Sequence, residues 1–382
     1  MSTKSKKILH IIVGLNIGGA ELMLKRLVLA GKDDKEFLHL VVSLTDLGVI
    51  GQELSSAGIQ VYALGMQSFW GIPKLFWKLK KTIKIINPDV VQTWMYHADF
   101  LGGLAANSIG VKKILWGIRT THVTKGSSII TKILRILCAK LSYTIPTSII
   151  CAAYISKDVH IEIGYDPSKM IVIPNGYALN KLNVTQAESI RLRKELDFED
   201  NDIVIGSVGR FNPDKNQKLF IKVAKKLNKL YPNMKFMMVG RDNTENNKEL
   251  MALLDESKLT ANFRLLGQRS DVACCFKVMD IFCLHSKTEG FPNVLAEAMA
   301  LGVPSVSVDV GDAKYIIGDI SGIVPAENCD ELVKAIINLV EEVLKDKEKL
   351  RTLRIAYKEH ISEKYSIEKI YEQYRYMWSN KI

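Results

Sequence analysis

The sequence predicts an α/β fold: two Rossmann-like, doubly wound domains in series with a cleft between them. Three observations predict it. Short β-rich apolar runs alternate with longer amphipathic stretches, the pattern that parallel sheets require. The alternation stops after Pro174-Asn175-Gly176, crosses a polar stretch to about Asp202, and then begins again. The length of 382 residues exceeds one ordinary core and suits two domains of similar size.

In the first half, strands are expected at 8–13, 37–44, 59–64, 89–92, 112–116, 148–151 and 170–173, with helices near 19–31, 73–86, 98–108, 128–142 and 155–163. In the second half, strands are expected at 203–208, 235–239, 262–266, 279–283, 304–308 and 321–324. Helices at 215–230, 245–256, 293–301 and 328–346 fall between and after them. From about Lys349 to Trp378 runs one long helical pattern rich in Tyr and charge. The expected domains are 1–180 and 181–360, with 361–382 as a helix returning to the first. No short repeat appears, which excludes a solenoid.

Composition narrows the class. With 47% hydrophobic residues, 10 Pro and 6 Cys, the chain is neither disordered nor a disulfide scaffold. Cysteines 138, 151, 274, 275, 283 and 329 form no CxxC pair and read as reduced thiols of a cytoplasmic protein. The stretch Ile8-Leu-His-Ile-Ile-Val, broken by His10, reads as a first strand rather than a signal peptide. No run is long and apolar enough to span a bilayer. The formal charge of +11 is uneven, +10 over residues 1–180 and +1 over 181–382. The first half is therefore expected to meet something anionic, and this asymmetry does not suit a nucleic-acid binder.

The residues that carry chemistry lie where strands end and helices begin, the place where open α/β sheets bind ligands. Gly18-Gly19-Ala20-Glu21 follows the first strand; glycines at such a turn let backbone approach a ligand, and the helix start favours an anion. Its spacing is not the GxGxxG of dinucleotide enzymes. At the corresponding place in the second half, Gly206-Ser-Val-Gly209-Arg210 leads to Lys215, two cations suited to a diphosphate without a metal. The run Glu289-Gly290-Phe291-Pro292-Asn293-Val294-Leu-Ala-Glu297 puts one carboxylate before a helix and another one turn inside it. Helix-start amides lie between them, and the carboxylates suit sugar or ribose hydroxyls. His97 follows the strand at 89–92, where a neutral imidazole can bond a hydroxyl or share a proton. No histidine pair has metal-binding spacing, and Asp200-Asn-Asp202 precedes a strand on the end away from the cleft, so no metal and no cofactor is expected.

Taken together, these motifs resemble the retaining glycosyltransferases of family 4, whose fold is the two-domain GT-B arrangement and whose members include bacterial surface-polysaccharide enzymes. Glu289 to Glu297 matches the family's Glu-x7-Glu pattern, and Trp94 to Gly103, Ile173 to Gly176 and Val239-Gly240-Arg241 extend the likeness over almost the whole chain. The resemblance implies metal-independent transfer of a sugar from a nucleotide donor, expected to be a UDP-sugar, with the anomeric configuration retained. It implies that Arg210 and Lys215 hold the departing diphosphate, with amides near Asn293 and Val294. Glu289 would touch the donor sugar and Glu297 the ribose, with Gly290 and Phe291 completing the donor set. Gly18 and Gly19 would close over the diphosphate. His97 would stand near the transferred sugar, so that His97, Glu289, Arg210 and Lys215 form the catalytic group. The chain departs from many relatives after Val310, where Gly311-Asp312 replaces paired glycines followed by Glu.

The expected acceptor is a lipid-linked oligosaccharide of capsule, O-antigen or exopolysaccharide assembly, handled at the inner face of the cytoplasmic membrane. A helix over 73–86 would bury Ile72, Leu75, Phe76, Leu79, Ile83 and Ile86 in one stripe. Lys74, Lys78, Lys81 and the aromatic Trp77 would then face outward, with Trp70 just before them, as a surface for an anionic bilayer. Ile129 to Leu141, with Lys132, Arg135 and Lys140, is a second basic amphipathic stretch. The same fold also serves nucleotide-sugar epimerases and could serve a non-catalytic sugar-nucleotide-binding subunit; the Glu-x7-Glu pattern and the intact charged set favour the transferase.

Overall fold

The computed structural model describes residues 5–67, 71–121, 128–182, 184–320 and 322–379. The chain divides into two compact units, Met1–Tyr177 with Tyr365–Ile382, and Ala178–Lys364.

Among the described residues of the first unit, seven parallel strands form one sheet: β1 (Lys6–Ile12), β2 (Phe37–Ser43), β3 (Gln60–Ala63), β4 (Val90–Trp94), β5 (Lys113–Ile118), β6 (Ser148–Cys151) and β7 (Met170–Val172), in the order β3-β2-β1-β4-β5-β6-β7. The order reverses between β1 and β4, whose ends meet at Ile12 and Trp94. Residues Ile8 to Ile12 are all buried because helices cover both faces, which is why they read as a continuous apolar run. Leu9 and Ile11 pack with α3 (Ile72–Ile86), α4 (Tyr96–Ser108) and α5 (Ile129–Leu141). Also in this unit are α1 (Gly19–Ala30), α2 (Gly48–Ser56) and α6 (Tyr154–Ile163).

His10 faces the other layer, where the last helix lies. The tail is two helices, α14 (Lys347–Tyr365) and α15 (Ile367–Ser379), rather than the one long helix that its pattern suggests. The break sits at Ser366, whose bridge to Tyr177 is closed by Tyr177 N–H to Tyr365 O and Ile367 N–H to Tyr177 O, both 2.9 Å. Beyond it, α15 buries Ile370, Tyr371, Tyr374 and Trp378. Its polar atoms join a buried chain of hydrogen bonds. The Trp94 indole can only donate, so it sets His10 Nδ1 as acceptor at 3.3 Å. His10 Nε2–H then donates to His39 Nδ1 at 3.0 Å, and His39 Nε2–H to Tyr371 Oη at 3.1 Å. Tyr371 in turn donates to Asp34 at 3.0 Å. Burial holds both imidazoles neutral, His10 well below the usual histidine range and His39 at about 4.

The second unit has six described parallel strands: β8 (Ile203–Val208), β9 (Met234–Val239), β10 (Phe263–Leu265), β11 (Ile281–Leu284), β12 (Ser305–Val308) and β13 (Ile323–Val324), in the order β10-β9-β8-β11-β12-β13. Here the reversal falls between β8 and β11. Between and around them run α7 (Gln186–Glu195), α8 (Gln217–Leu230), α9 (Lys248–Ser257), α10 (Val272–Val278), α11 (Asn293–Ala300), α12 (Ala313–Ile317) and α13 (Cys329–Asn338), the last continuing as a π-helical turn over Leu339–Leu344. Helices α2, α7, α10 and α12 fall in stretches with no sequence-predicted element. The polar stretch after Gly176 is thus partly helical: Thr185 and Glu188 form a reciprocal capping box at the start of α7.

Candidate functional site

In the second unit, the loops after β8 and β11 stand side by side at the point where strand order reverses, and they carry the charged residues. After β8, the loop from Gly209 to Asn216 is held by internal bonds. The buried Gln217 side chain donates to Arg210 O at 2.9 Å, and Asn212 Oδ1 accepts from Asp214 N–H at 2.8 Å. Asn243 donates to Gly209 O at 2.6 Å. Gly240, at the end of β9, takes φ +132, and a Cβ there would strike the Gly209 carbonyl. The loop therefore rests directly on the neighbouring strand end.

Lys287 N–H, in the loop after β11, donates to Asp214 O at 2.8 Å and ties the two loops together. Lys215 Nζ then lies 2.5 Å from Glu289 Oε1, which also accepts from Ser286 Oγ at 2.7 Å. The Glu289 side chain is 10% exposed and the Lys215 side chain 27%, so the pair is partly withdrawn from solvent. Arg210 is exposed and makes no side-chain hydrogen bond among the described residues. Beneath, buried His285 stacks on Phe220 at 4.9 Å and bonds Ser207 at 2.6 Å; burial pulls its pKa to about 4, so it is neutral.

From Glu289 the chain enters α11. Gly290 O accepts from Asp312 N–H at 2.9 Å, and Phe291 is buried. Asn293 and Val294 are the first two helical residues, and no side chain caps the N-terminus over the described residues. N–H groups at a helix start suit an anion. Glu297, the fifth helical residue, is half-buried. Where the sequence departs from relatives, Gly311 takes φ +55 and packs so closely on Gly290 O that a Cβ would collide with it. The departure keeps a glycine at the position where the backbone needs one. Asp200 is exposed, but Asp202 is buried and caps Glu199 N–H at 2.9 Å, so the Asp-Asn-Asp run is partly structural.

In the first unit, Gly18 and Gly19 begin α1 after β1, again with no side-chain cap among the described residues. His97 is the second residue of α4, which starts at Tyr96, two residues earlier than its pattern predicts. Met95, just before it, is strained at φ 74, ψ 156. Two 2.8 Å bonds hold it, Met95 N–H to Gly117 O and Asp99 N–H to Met95 O. The buried Asp99 carboxyl accepts from Thr93 Oγ1 at 2.6 Å and Gly117 N–H at 3.2 Å, and burial raises its pKa to about 7. His97 is half-buried, which lowers its pKa and keeps it neutral. Since β1 and β4 are neighbours, His97 and the glycine turn occupy adjacent strand ends.

The structure thus brings Arg210, Lys215, Glu289, Asn293, Val294 and Glu297 to one switch point, and Gly18, Gly19 and His97 to the other. Sequence reasoning did not single out Met95, Asp99, Gln217 or Ser286. Asp99, two residues after His97, carried a visible signal as a charge between Ala98 and the apolar Phe100-Leu101, whereas Gln217 stands between Asn216 and Lys218 and carried none. On α3, Trp77 is 70% exposed with the Lys80 ammonium 5.2 Å from its ring. Lys74 and Lys81 are exposed, whereas Lys78 is tied to Leu64 O at 2.8 Å. Trp70 lies outside the described residues. Over the described residues no helix is long and apolar enough to cross a membrane.

Known proteins match over both units. Residues 17–181 fit the family described as Glycosyltransferase Family 4, and residues 188–360 fit Glycosyl transferases group 1. The chain is 29% identical over 276 residues to the UDP-Gal:alpha-D-GlcNAc-diphosphoundecaprenol alpha-1,3-galactosyltransferase of Escherichia coli, covering 69% of each. It is 27% identical over 294 residues to the capsular polysaccharide biosynthesis glycosyltransferase CapH of Staphylococcus aureus, covering 76% of this chain and 78% of CapH. Among solved structures, Anabaena HepE in complex with UDP superposes with a TM-score of 0.84 at 22% identity, over 98% of this chain and 99% of that one.

Proposed function

The chain belongs to the family 4 glycosyltransferases, with the GT-B fold, and from that premise we propose that it moves a hexose from a UDP-sugar to a lipid-linked saccharide, retaining the anomeric configuration and using no metal. That it is a glycosyltransferase of polysaccharide assembly follows from the family and the relatives. The observation that carries the finer reading is the Lys215–Glu289 pair, with Glu289 four residues before the start of α11. Negative charge grows on the departing diphosphate, and fixed donors lower the barrier most when they stand where charge develops. Lys215, Arg210 and the amides of Asn293 and Val294 are such donors. Without donor, Glu289 serves as counterion to Lys215. With donor bound, the phosphates take the cations and leave Glu289 to accept from hydroxyls of the sugar, while Glu297 accepts from the ribose and Gly290 and Phe291 shape the floor.

In the first unit, Gly18 and Gly19 meet the diphosphate, and neutral His97 bonds the sugar being transferred. A UDP-galactose donor and a diphospholipid-linked acceptor are named for the E. coli relative, which supports the same two classes here. Attachment to an anionic membrane surface through Lys74, Lys81 and Trp77 suits a lipid-borne acceptor. Lys78, bonded to Leu64 O, contributes charge from a fixed position.

The test is a panel of UDP, GDP and ADP sugars read by thermal stabilisation in the presence of EDTA. UDP-sugars should raise the midpoint and the others should not; a midpoint indifferent to UDP-sugars overturns the reading.

A further inference from the structure

The two glycines of the turn after β1 serve different ends. Gly18, at φ −158 and ψ 172, is in extended backbone that any residue adopts, so no left-handed turn demands it. A Cβ on Gly18 would instead strike the carboxylate of Glu21, whose side chain folds back over it from the first turn of α1. A Cβ on Gly19 would meet nothing within 4 Å among the described residues. Gly18 thus makes room for a carboxylate, and Gly19 leaves bare backbone beside open space.

Glu21 is the third residue of α1, which begins at Gly19. Gly18 has no side chain to offer the first turn, and Glu21 supplies an acceptor in its place, since its own backbone N–H donates to its carboxylate. The side chain is half-buried, and that burial raises its pKa. The sequence offers it a different partner. Lys25 stands four residues on, in the favourable order for a Glu–Lys pair along a helix. Among the described residues that pair is not made, and Lys25 bonds Glu53 of α2 instead. The Glu21 carboxylate therefore stays at the start of α1, where the positive end of the helix dipole and the first N–H groups attract negative charge.

An anion that binds at this turn meets a place already holding one negative charge, and the cost rises with the charge the ligand brings. A UDP-sugar is esterified at both ends of its diphosphate. Once the sugar has left, the terminal phosphate has a free end that loses its last proton near pH ~6, so UDP carries one negative charge more than the donor.

We propose that Glu21 lets the first unit tell the spent nucleotide from the donor: its negative charge beside the Gly18-Gly19 turn repels UDP more than a UDP-sugar and speeds release of the product. The inference rests on the reading that this turn meets the diphosphate, and it adds the residue that sets how much charge the turn tolerates.

The full chain is titrated calorimetrically with UDP and with UDP-galactose at about pH 8, where the terminal phosphate of UDP is fully ionised. Wild type is compared with Glu21→Gln, which keeps an acceptor oxygen and removes the charge, and with Glu21→Asp, which keeps the charge on a shorter stem. Melting without nucleotide confirms that both variants fold. Glu21→Gln should tighten UDP by about tenfold and UDP-galactose by about threefold, the difference being the repulsion of one further charge at short range. The rate of UDP dissociation, read by stopped flow, should fall in the same variant. Glu21→Asp should keep the ratio of the two affinities within about twofold of wild type. A residue that served only the helix start would move both ligands together. If Glu21→Gln shifts both affinities by one factor, or leaves UDP unchanged or weaker, the proposal is overturned while the donor reading stands. A wild type that binds neither ligand contradicts the donor reading above and this inference with it.

Discussion

Lys215 and Glu289, 74 residues apart in sequence, meet at 2.5 Å across the two loops where the second sheet reverses its strand order. The pair needs two independent supports. Gln217 and Asn243 fix the loop of Lys215, and Lys287 N–H on Asp214 O joins that loop to the one bearing Glu289.

Lys215→Ala should lower kcat/KM by about 100-fold or more, the usual cost of losing one donor to a developing anion. Glu289→Gln keeps the shape and one acceptor oxygen, and should lower kcat more than it weakens UDP binding. Circular dichroism should show both variants folded. Equal turnover in both and in wild type would remove the pair from the reaction.

Gly240→Ala should cost about 1–3 kcal/mol of stability from backbone strain alone, because φ +132 is a glycine conformation. The added methyl also pushes on Gly209 O, so UDP binding should weaken in the same variant. Urea unfolding and UDP titration check the two effects separately.

Asp99→Asn should alter the pH dependence of stability. Burial raises the native Asp99 pKa to about 7, whereas its unfolded value is near 3.8. Its stabilising contribution is therefore complete below pH 3.8 and is lost as pH rises through 7, because the unfolded chain gives up the proton first. Between pH 4 and 8 the variant should gain on wild type by about 4 kcal/mol, at 1.36 kcal/mol per pKa unit. Parallel stability curves would contradict this.

A chain ending at Tyr365 should fail to fold its first unit. It lacks five buried side chains, Ile367, Ile370, Tyr371, Tyr374 and Trp378, each contributing about 1.5–3 kcal/mol by burial, together a domain's typical stability. It also leaves His39 Nε2 without Tyr371. Near-ultraviolet circular dichroism and limited proteolysis report the loss.

Much of this was legible in the sequence because parallel sheets write their strands as apolar runs and their ligand loops as glycines and charges after them. Glu289 to Glu297, Arg210 and Lys215 sit at strand ends for that reason. Helix α2 was not legible: Gly48 and Gly51 dilute its helical pattern within nine residues. The capping box at Thr185 was readable in principle, yet its helix has a polar surface and only Leu192 buried, so no periodicity announced it. The break at Ser366 depends on a bridge to Tyr177, a contact between distant segments that no local signal encodes. The same holds for His10, which in sequence only interrupts an apolar strand and in the structure pairs with His39 across the sheet. The exposed stripe of α5, Ile129, Ile133 and Ile136, was hidden for a different reason: an amphipathic pattern tells that one side is apolar, not which side faces the core.

The most direct test of the central claim is the anomeric configuration of the product. Purified protein is given an α-configured UDP-hexose and a saccharide-diphospholipid acceptor in EDTA, and the new linkage is read by proton NMR. An α-linkage formed without metal is the predicted result; a β-linkage, or transfer that requires a divalent ion, would contradict it.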